Sequence, residues 1–247
     1  MTSLQITMLG TGSAFSKRYL NNNAMIEWKG TKWLIDCGNT APLALHALNE
    51  PLESIEGVLV THLHADHVGG LEEIAFRMNI FIGRKPKLII AEDLVETLWE
   101  NGLKAGMEDS EHTQLEDYFE VRAVKPEQTF EWLPGLVAEL IQTKHIPGKK
   151  SYSLKLNRSL FYSADMTFHP ELLKRLVHDE GYQYILHECQ LTGEGAVHTT
   201  LEELLTLPES IQRITMLMHY GDEREQFEGK TGMMTFMNKH ELYTFDI

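Results

Sequence analysis

Apolar residues along this chain gather in short runs that stop at Gly, Asp or a Thr-His pair, the punctuation of buried strands. In the first half such runs predict strands over LQITMLG (4–10), AMIEW (24–28), KWLID (32–36) and GVLVT (57–61), with a helix in APLALHALNE before the last of them. Further on, KLIIA (87–91) reads as a strand, EDLVETLWEN (92–101) as a helix, and, after an acidic stretch at 106–117, FEVRAV (119–124) and LVAELIQTKH (136–145) as strands. The second half repeats the grammar: strands SYSLKLN (151–157) and SLFYSAD (159–165), a helix from Pro170, the strand YQYILHE (182–188), a helix TLEELLTL (200–207), then strands ITMLMH (214–219) and ELYTF (241–245). Strands and helices alternate throughout, so the class is α/β.

The two halves correspond at two points. LIDCG and FYSADM each carry an aspartate, Asp36 and Asp165, to the end of an apolar strand, and GVLVTH and ITMLMH do the same for His62 and His219. Such duplication places polar side chains on one rim of two packed sheets. No linker rich in Pro, Gly or Ser interrupts the pattern, and 247 residues suit one large core, so residues 1–247 are expected to form a single domain.

Composition narrows the function more than the fold. The formal net charge of -14 argues against a protein that holds long nucleic acid by neutralising phosphates, while a small anion remains admissible at a local cationic site. No leader-like N-terminus and no apolar run of membrane-spanning length is present, so a cytoplasmic address without membrane insertion is expected. Cys37 and Cys189 sit in apolar surroundings that suit buried free thiols.

The chemistry concentrates in THLHADHVGG (61–70), where three imidazoles and one carboxylate fall within six residues. Three adjacent imidazoles that protonate together repel one another, and a divalent cation relieves this by taking neutral nitrogen and carboxylate oxygen. In extended backbone His62 and His64 share a side, while Asp66 and His67 turn away along the following bend, so one motif can serve two metals. Each metal then needs ligands from elsewhere, and His145, Asp165 and His219 are the strand-end candidates, with Asp165 suited to bridging.

These residues, in the order Asp36, HLHADH, His145, Asp165 and His219, resemble the ordered motifs of the metallo-β-lactamase superfamily over nearly the whole chain. The resemblance implies an αββα sandwich with two Zn2+ ions, manganese being a possible substitute. One metal would be held by His62, His64 and His145, the other by Asp66, His67 and His219, with Asp165 between them and Asp36 orienting the site from behind. The β-lactam-hydrolysing members commonly use a Cys on the second metal where this chain has Asp66, which argues against antibiotic hydrolysis. LGTGSAFSKRYLNNNAMIEWKGTKWLIDCG and LHECQLTGEGAVHTTLEELL are similar to segments of the tRNase Z-like phosphodiesterase branch, and the second aligns His198 with a catalytic histidine. A helix-start surface residue, with Thr199 capping TLEELL, is the competing account of His198.

That branch implies attack of activated water on phosphorus, with Asp66 accepting the water proton and His198 as imidazolium protonating the departing sugar oxygen. The arm with which tRNase Z grips its tRNA lies between the positions of His145 and Asp165, and here only IPGKKSYSLKLNRSLFYSA separates them. A compact site of this kind resembles the anti-Pycsar cyclic-nucleotide phosphodiesterases, which implies a small cyclic-nucleotide substrate opened to the 5′-monophosphate. A short tRNase Z-like RNA 3′-processing endonuclease is the runner-up; thioester or lactone hydrolysis would not need His198, and a metal-bound scaffold would not need a full ligand set. Tyr19, Asn21, Asn22, Asn23, Lys149, Lys150 and Tyr220 are loop candidates for substrate contact. A homodimer is expected, with AFRMNIFI (75–82) as a core or dimer face and 106–117, including His112, as a lid or subunit contact.

Overall fold

The computed structural model describes residues 3–247. The first part of the chain forms β1 (Ser3–Gly10), β2 (Asn23–Trp28), β3 (Thr31–Ile35), β4 (Ile55–Val60), β5 (Lys87–Ala91) and β6 (Glu120–Val124). The second part forms β7 (Thr129–Leu133), β8 (Leu136–Thr143), β9 (Ser151–Leu156), β10 (Leu160–Tyr162), β11 (Tyr184–Glu188), β12 (Thr215–Met218), β13 (Thr235–Phe236) and β14 (Leu242–Asp246). Two seven-stranded sheets result, in the orders β14-β1-β2-β3-β4-β5-β6 and β13-β12-β11-β10-β9-β8-β7. The final strand therefore crosses back to complete the first sheet.

Period-2 alternation assigns side chains to layers. In β10 to β12, Leu160, Tyr162, Leu186 and Met218 join the core shared with the first sheet, while Phe161, Ile185 and Leu217 join a second cluster with the helices. Those helices, Pro170–His178, Leu201–Leu205 and Glu209–Gln212, bury Leu172, Leu173, Leu176, Leu201, Leu204 and Ile211. On the other side, Ala41–Ala47 and Leu71–Arg77 lay Ala44, Leu45, Leu71 and Ile74 on the first sheet. The order of layers is helix, sheet, sheet, helix.

Strand direction explains why one rim collects the polar residues. β3, β4 and β5 run parallel, as do β10, β11 and β12, and β8 reaches β10 through two antiparallel pairings and so shares its direction. The chain leaving β3, β4, β8, β10, β11 and β12 thus emerges at the carboxyl ends of its sheet, where ligands gather in α/β architectures. Bridges between Gly12 and Tyr220 and between His62 and Ser151 tie the sheets together there.

Some elements depart from the sequence pattern. β7 and β13 were not expected; β7 is half exposed and interrupted by Glu131, and β13 is only two residues long. The helix expected at 92–101 is part of a longer helical run that widens at Trp99–Leu103 and ends at Met107. AFRMNIFI is helical and split in character: Ala75 and Met78 are buried, whereas Ile80 and Phe81 are 68% and 80% exposed. The acidic segment folds locally around Asp109, which accepts the Glu111 and His112 amides, leaving His112 outside the polar rim.

Gly38, just after Asp36, marks the tightest approach at that rim. A Cβ there would lie 1.8 Å from the Asp66 carbonyl oxygen and 2.3 Å from its carbon. Gly38→Ala is expected to lower stability by about 1–3 kcal/mol, as overpacking does. Gly102→Ala, where the nearest atom is Leu98 Cδ1 at 3.8 Å, is not expected to lower it. Thermal denaturation of the two variants side by side checks the contrast.

Candidate metal centre

HLHADH changes conformation midway. His62 to His64 leave β4 extended, His64 is the last extended residue before a single helical turn at Ala65–Val68, and that turn carries Asp66 and His67 to the other side. Two donor groups result: His62, His64, His145 and Asp165, and Asp66, His67, Asp165 and His219, each with its atoms within 4.8 Å of one another. Asp165 belongs to both.

The spacing within each group fits a cation. In the first, His62 Nε2 lies 3.1 Å from His64 Nδ1 and 3.6 Å from Asp165 Oδ2, and His145 Nε2 lies 3.3 Å from His64 Nδ1. In the second, His67 Nε2 is 3.2 Å from Asp66 Oδ2 and 3.4 Å from Asp165 Oδ1, and His219 Nε2 is 3.5 Å from Asp66 Oδ2. Ligands about 2.1 Å from a tetrahedral metal are separated by about 3.4 Å, so both donor sets have the spacing of a coordinated divalent cation. Asp66 Oδ2, His67 Nε2, Asp165 Oδ1 and His219 Nε2 are buried without hydrogen-bond partners, an arrangement that a protein interior tolerates only when something else satisfies them.

The outer nitrogens are fixed by protein. His67 Nδ1 donates to Asp36 Oδ2 at 2.7 Å, His145 Nδ1 donates to the Val197 carbonyl at 2.7 Å, and His62 Nδ1 lies 3.1 Å from the Thr61 hydroxyl. Each contact turns the other ring nitrogen toward the centre, the usual way metal-binding imidazoles are oriented. Asp36 also accepts the Thr61 amide at 2.8 Å and the Thr61 hydroxyl at 2.7 Å. It does so from a left-handed backbone, φ +61, which Asp tolerates better than most residues.

Charge within the site is strongly shared. Burial pushes the His62 pKa well down, and the neighbouring His67 adds to this. For His67 burial acts downward too, but Asp165, Asp36 and Asp66 outweigh it and raise the pKa well above the imidazole range. A cation taking His67 Nε2 must displace that proton, so metal affinity is expected to weaken as pH falls. Burial would raise the Asp165 carboxyl, yet His219 and His67 hold it well below the carboxylate range.

His198 stands at the edge of the second group. Its Nδ1 is 2.9 Å from Glu188 Oε2, and its ring centre is 4.9 Å from that of His219 and 4.8 Å from that of His145. Glu188 is buried at the end of β11, its other oxygen accepting the Met166 amide at 2.6 Å, and burial together with Asp165 pushes its pKa well up. Glu188 escaped the sequence reading; its only signal was an acid closing the strand YQYILHE, as Asp36 and Asp165 follow theirs. Thr200, not Thr199, caps the following helix, exchanging hydrogen bonds with Glu203; the Thr199 hydroxyl is buried and donates to the Met166 carbonyl.

The loop candidates divide. Asn22 donates to the Tyr162 hydroxyl, Asn23 spans the Asp66 carbonyl and the Gly38 amide, and Tyr220 is buried against Thr11 and the Met237 carbonyl with Tyr19 edge-on to it, so these brace the rim. Asn21 is likewise buried, its amide donating to the Ala14 carbonyl. Lys149 and Lys150 instead line a cleft of about 400 Å3 that opens on His62, His64 and His145. A second cleft, of about 460 Å3, opens on His198 and His219.

The helix-sheet-sheet-helix order and a rim with two His/Asp donor groups define a metallo-β-lactamase-fold protein. Solved structures agree on the fold: a diphosphatase of the PhnP family has a TM-score of 0.78 at 18% identity, covering 99% of this chain and 98% of its own, and the short form of human tRNase Z has a TM-score of 0.70 at 17% identity, covering 98% and 100%. The family described as "Anti-Pycsar protein Apyc1" matches residues 4–243, and this chain belongs to it. It is 56% identical over 243 residues to the Anti-Pycsar protein Apyc1 of Paenibacillus sp. (strain J14), covering 98% of this chain and 99% of that one. Among the described residues no helix is long and apolar enough to cross a membrane.

Asp36 allows a direct test of the supporting contacts. Asp36→Ala strands the Thr61 amide and His67 Nδ1 in a buried setting, and is expected to destabilise the fold by about 1–3 kcal/mol per orphaned group and to weaken metal binding about 10- to 100-fold. Asp36→Asn keeps an acceptor for the Thr61 amide and should fall between. Competition titration with a chelating dye, alongside thermal melting, measures both effects.

Proposed function

We propose that this chain is a zinc-dependent phosphodiesterase that opens nucleoside 3′,5′-cyclic monophosphates to 5′-monophosphates, thereby removing a cyclic-nucleotide antiphage signal. The observation that carries this reading is the buried Glu188 holding His198 beside both donor groups. An ester with a poor alkoxide leaving group needs a positioned acid, whereas a thioester or activated lactone does not. Family membership supplies the connection to Pycsar.

Two divalent cations in these donor sets would neutralise phosphoryl oxygens and lower the pKa of water. His62, His64 and His145 would hold one, and Asp66, His67 and His219 the other, with Asp165 between. Asp66, besides holding the second cation, would take the proton of the attacking water. Glu188, paired with His198 through Nδ1, would orient the ring and leave Nε2 to give its proton to the departing 3′-oxygen. Between His145 and Asp165 the chain makes only a turn followed by β9 and β10, which fill the second sheet; this favours a small phosphodiester over a tRNA.

Elemental analysis is expected to find about two zinc ions per chain, with manganese able to substitute. Chelation should abolish turnover, and added metal should restore it. His198→Ala should lose about 10²- to 10⁴-fold in kcat while keeping its metal, whereas Asp66→Ala should lose activity and second-site metal together.

The bond cleaved tests the substrate. Chromatography of products from purine and pyrimidine cyclic mononucleotides should show 5′-monophosphates for several bases. 3′-Monophosphates would reverse the leaving group. Cleavage of pre-tRNA with no action on any cyclic mononucleotide would sink the reading and favour RNA processing.

A further inference from the structure

The second cleft has an aromatic wall that the chemistry above does not use. Phe15 is 88% exposed and lines it together with Ser16, Gln190, Thr192, His198 and Glu223. A large apolar ring left in water on an otherwise anchored loop is an informative exposure. The loop is held from several directions: the Ser13 amide donates to the Tyr220 carbonyl at 2.9 Å, and Asp222 accepts the Ser16 hydroxyl at 2.6 Å and the Arg18 amide at 3.0 Å. Gly12 permits the turn to close, since a Cβ there would meet Ser16 Oγ at 2.4 Å. Phe15 is thus a ring on a fixed support.

We propose that Phe15 is the stacking platform for the nucleobase of the cyclic nucleotide, an inference that rests on the phosphodiesterase reading above. In-line displacement puts the sugar on the side of the leaving oxygen, opposite the attacking water, and His198 marks that side. The base then extends past His198 into the cleft that Phe15 walls. The polar groups there are largely engaged with one another: Gln190 Nε2 donates to the Thr192 and Glu194 carbonyls, and the Thr192 hydroxyl donates to Glu223. Few remain to read a base edge, while every base has a face to stack. The cleft would grip bases without choosing among them.

The experiment compares kcat/KM for adenine and cytosine 3′,5′-cyclic monophosphates with that for a base-free ribose 3′,5′-cyclic phosphate. Phe15→Ala should lower the nucleotide-to-base-free ratio about 5- to 100-fold for both bases, mainly through KM. Phe15→Trp should keep the ratio high. A Phe15→Ala ratio within about twofold of wild type, or an equal fall on all three substrates, would overturn the platform while leaving the phosphodiesterase reading intact. A changed oligomeric state with an unchanged ratio would assign the ring to a subunit contact instead. Wild-type protein inert toward all three substrates would remove both readings.

Discussion

Asp66 Oδ2, His67 Nε2, Asp165 Oδ1 and His219 Nε2 converge in a buried space where no protein group satisfies them. Leaving such atoms unpaired is unfavourable by about 1–3 kcal/mol each, more where charge is involved, so the rim is built at the expense of the rest of the fold. The backbone shows the same tension. Asp36, Ala164 and His219 leave their strands in left-handed conformations, φ +61, +48 and +58, though none is glycine. Strain of this sort persists only where surrounding structure over-determines it. Here two seven-stranded sheets, locked by the shared inner core, hold three strained exits in place, so that Asp165 and His219 reach one centre and Asp36 backs His67.

The same constraint explains which parts of the molecule were legible in the sequence. Alternation and strand ends gave most of the strands, because buried parallel strands are short apolar runs whatever lies around them. HLHADH was legible because covalent spacing alone crowds its donors. His145, Asp165 and His219 could be connected to it only through the strand-end pattern and the family likeness, since covalent spacing does not bring distant ligands together until the sheets are assembled. Glu188 offered one acid at one strand end, and its meaning depends on His198 arriving from ten residues further on. Asn22, Asn23 and Tyr220 read as polar loop residues because nothing local reveals that the loops are packed under the rim. The cap falls at Thr200, one position past the Thr199 of the competing account of His198, since TT offers two hydroxyls and only burial of Thr199 decides between them.

Electrostatics separates the global from the local. A chain with formal net charge -14 repels anions at a distance, yet fields in salt fade beyond about 8 Å. What an anionic substrate meets at contact is set by the rim: carboxylates turned inward toward the donor centre, imidazoles around them, and Lys149 and Lys150 across the first cleft. Lys150 is already paired with Asp93, which also accepts the Tyr152 hydroxyl, so this side of the rim is stiffened by contacts across the cleft.

The two clefts therefore make unequal demands on a ligand. The first is walled by Leu63, Val68, Leu94 and Leu98 along with its lysines and abuts the His62, His64 and His145 group. The second abuts His198 and is reached over Phe15 and the Asp222-anchored loop. On the proposed chemistry the proton donor lies between the centre and the second cleft, so the leaving group departs toward that cleft and the first is left for solvent and the incoming water. A site divided in this way needs no extended binding arm, because ring opening would give a single product whose nucleoside has the second cleft beside it.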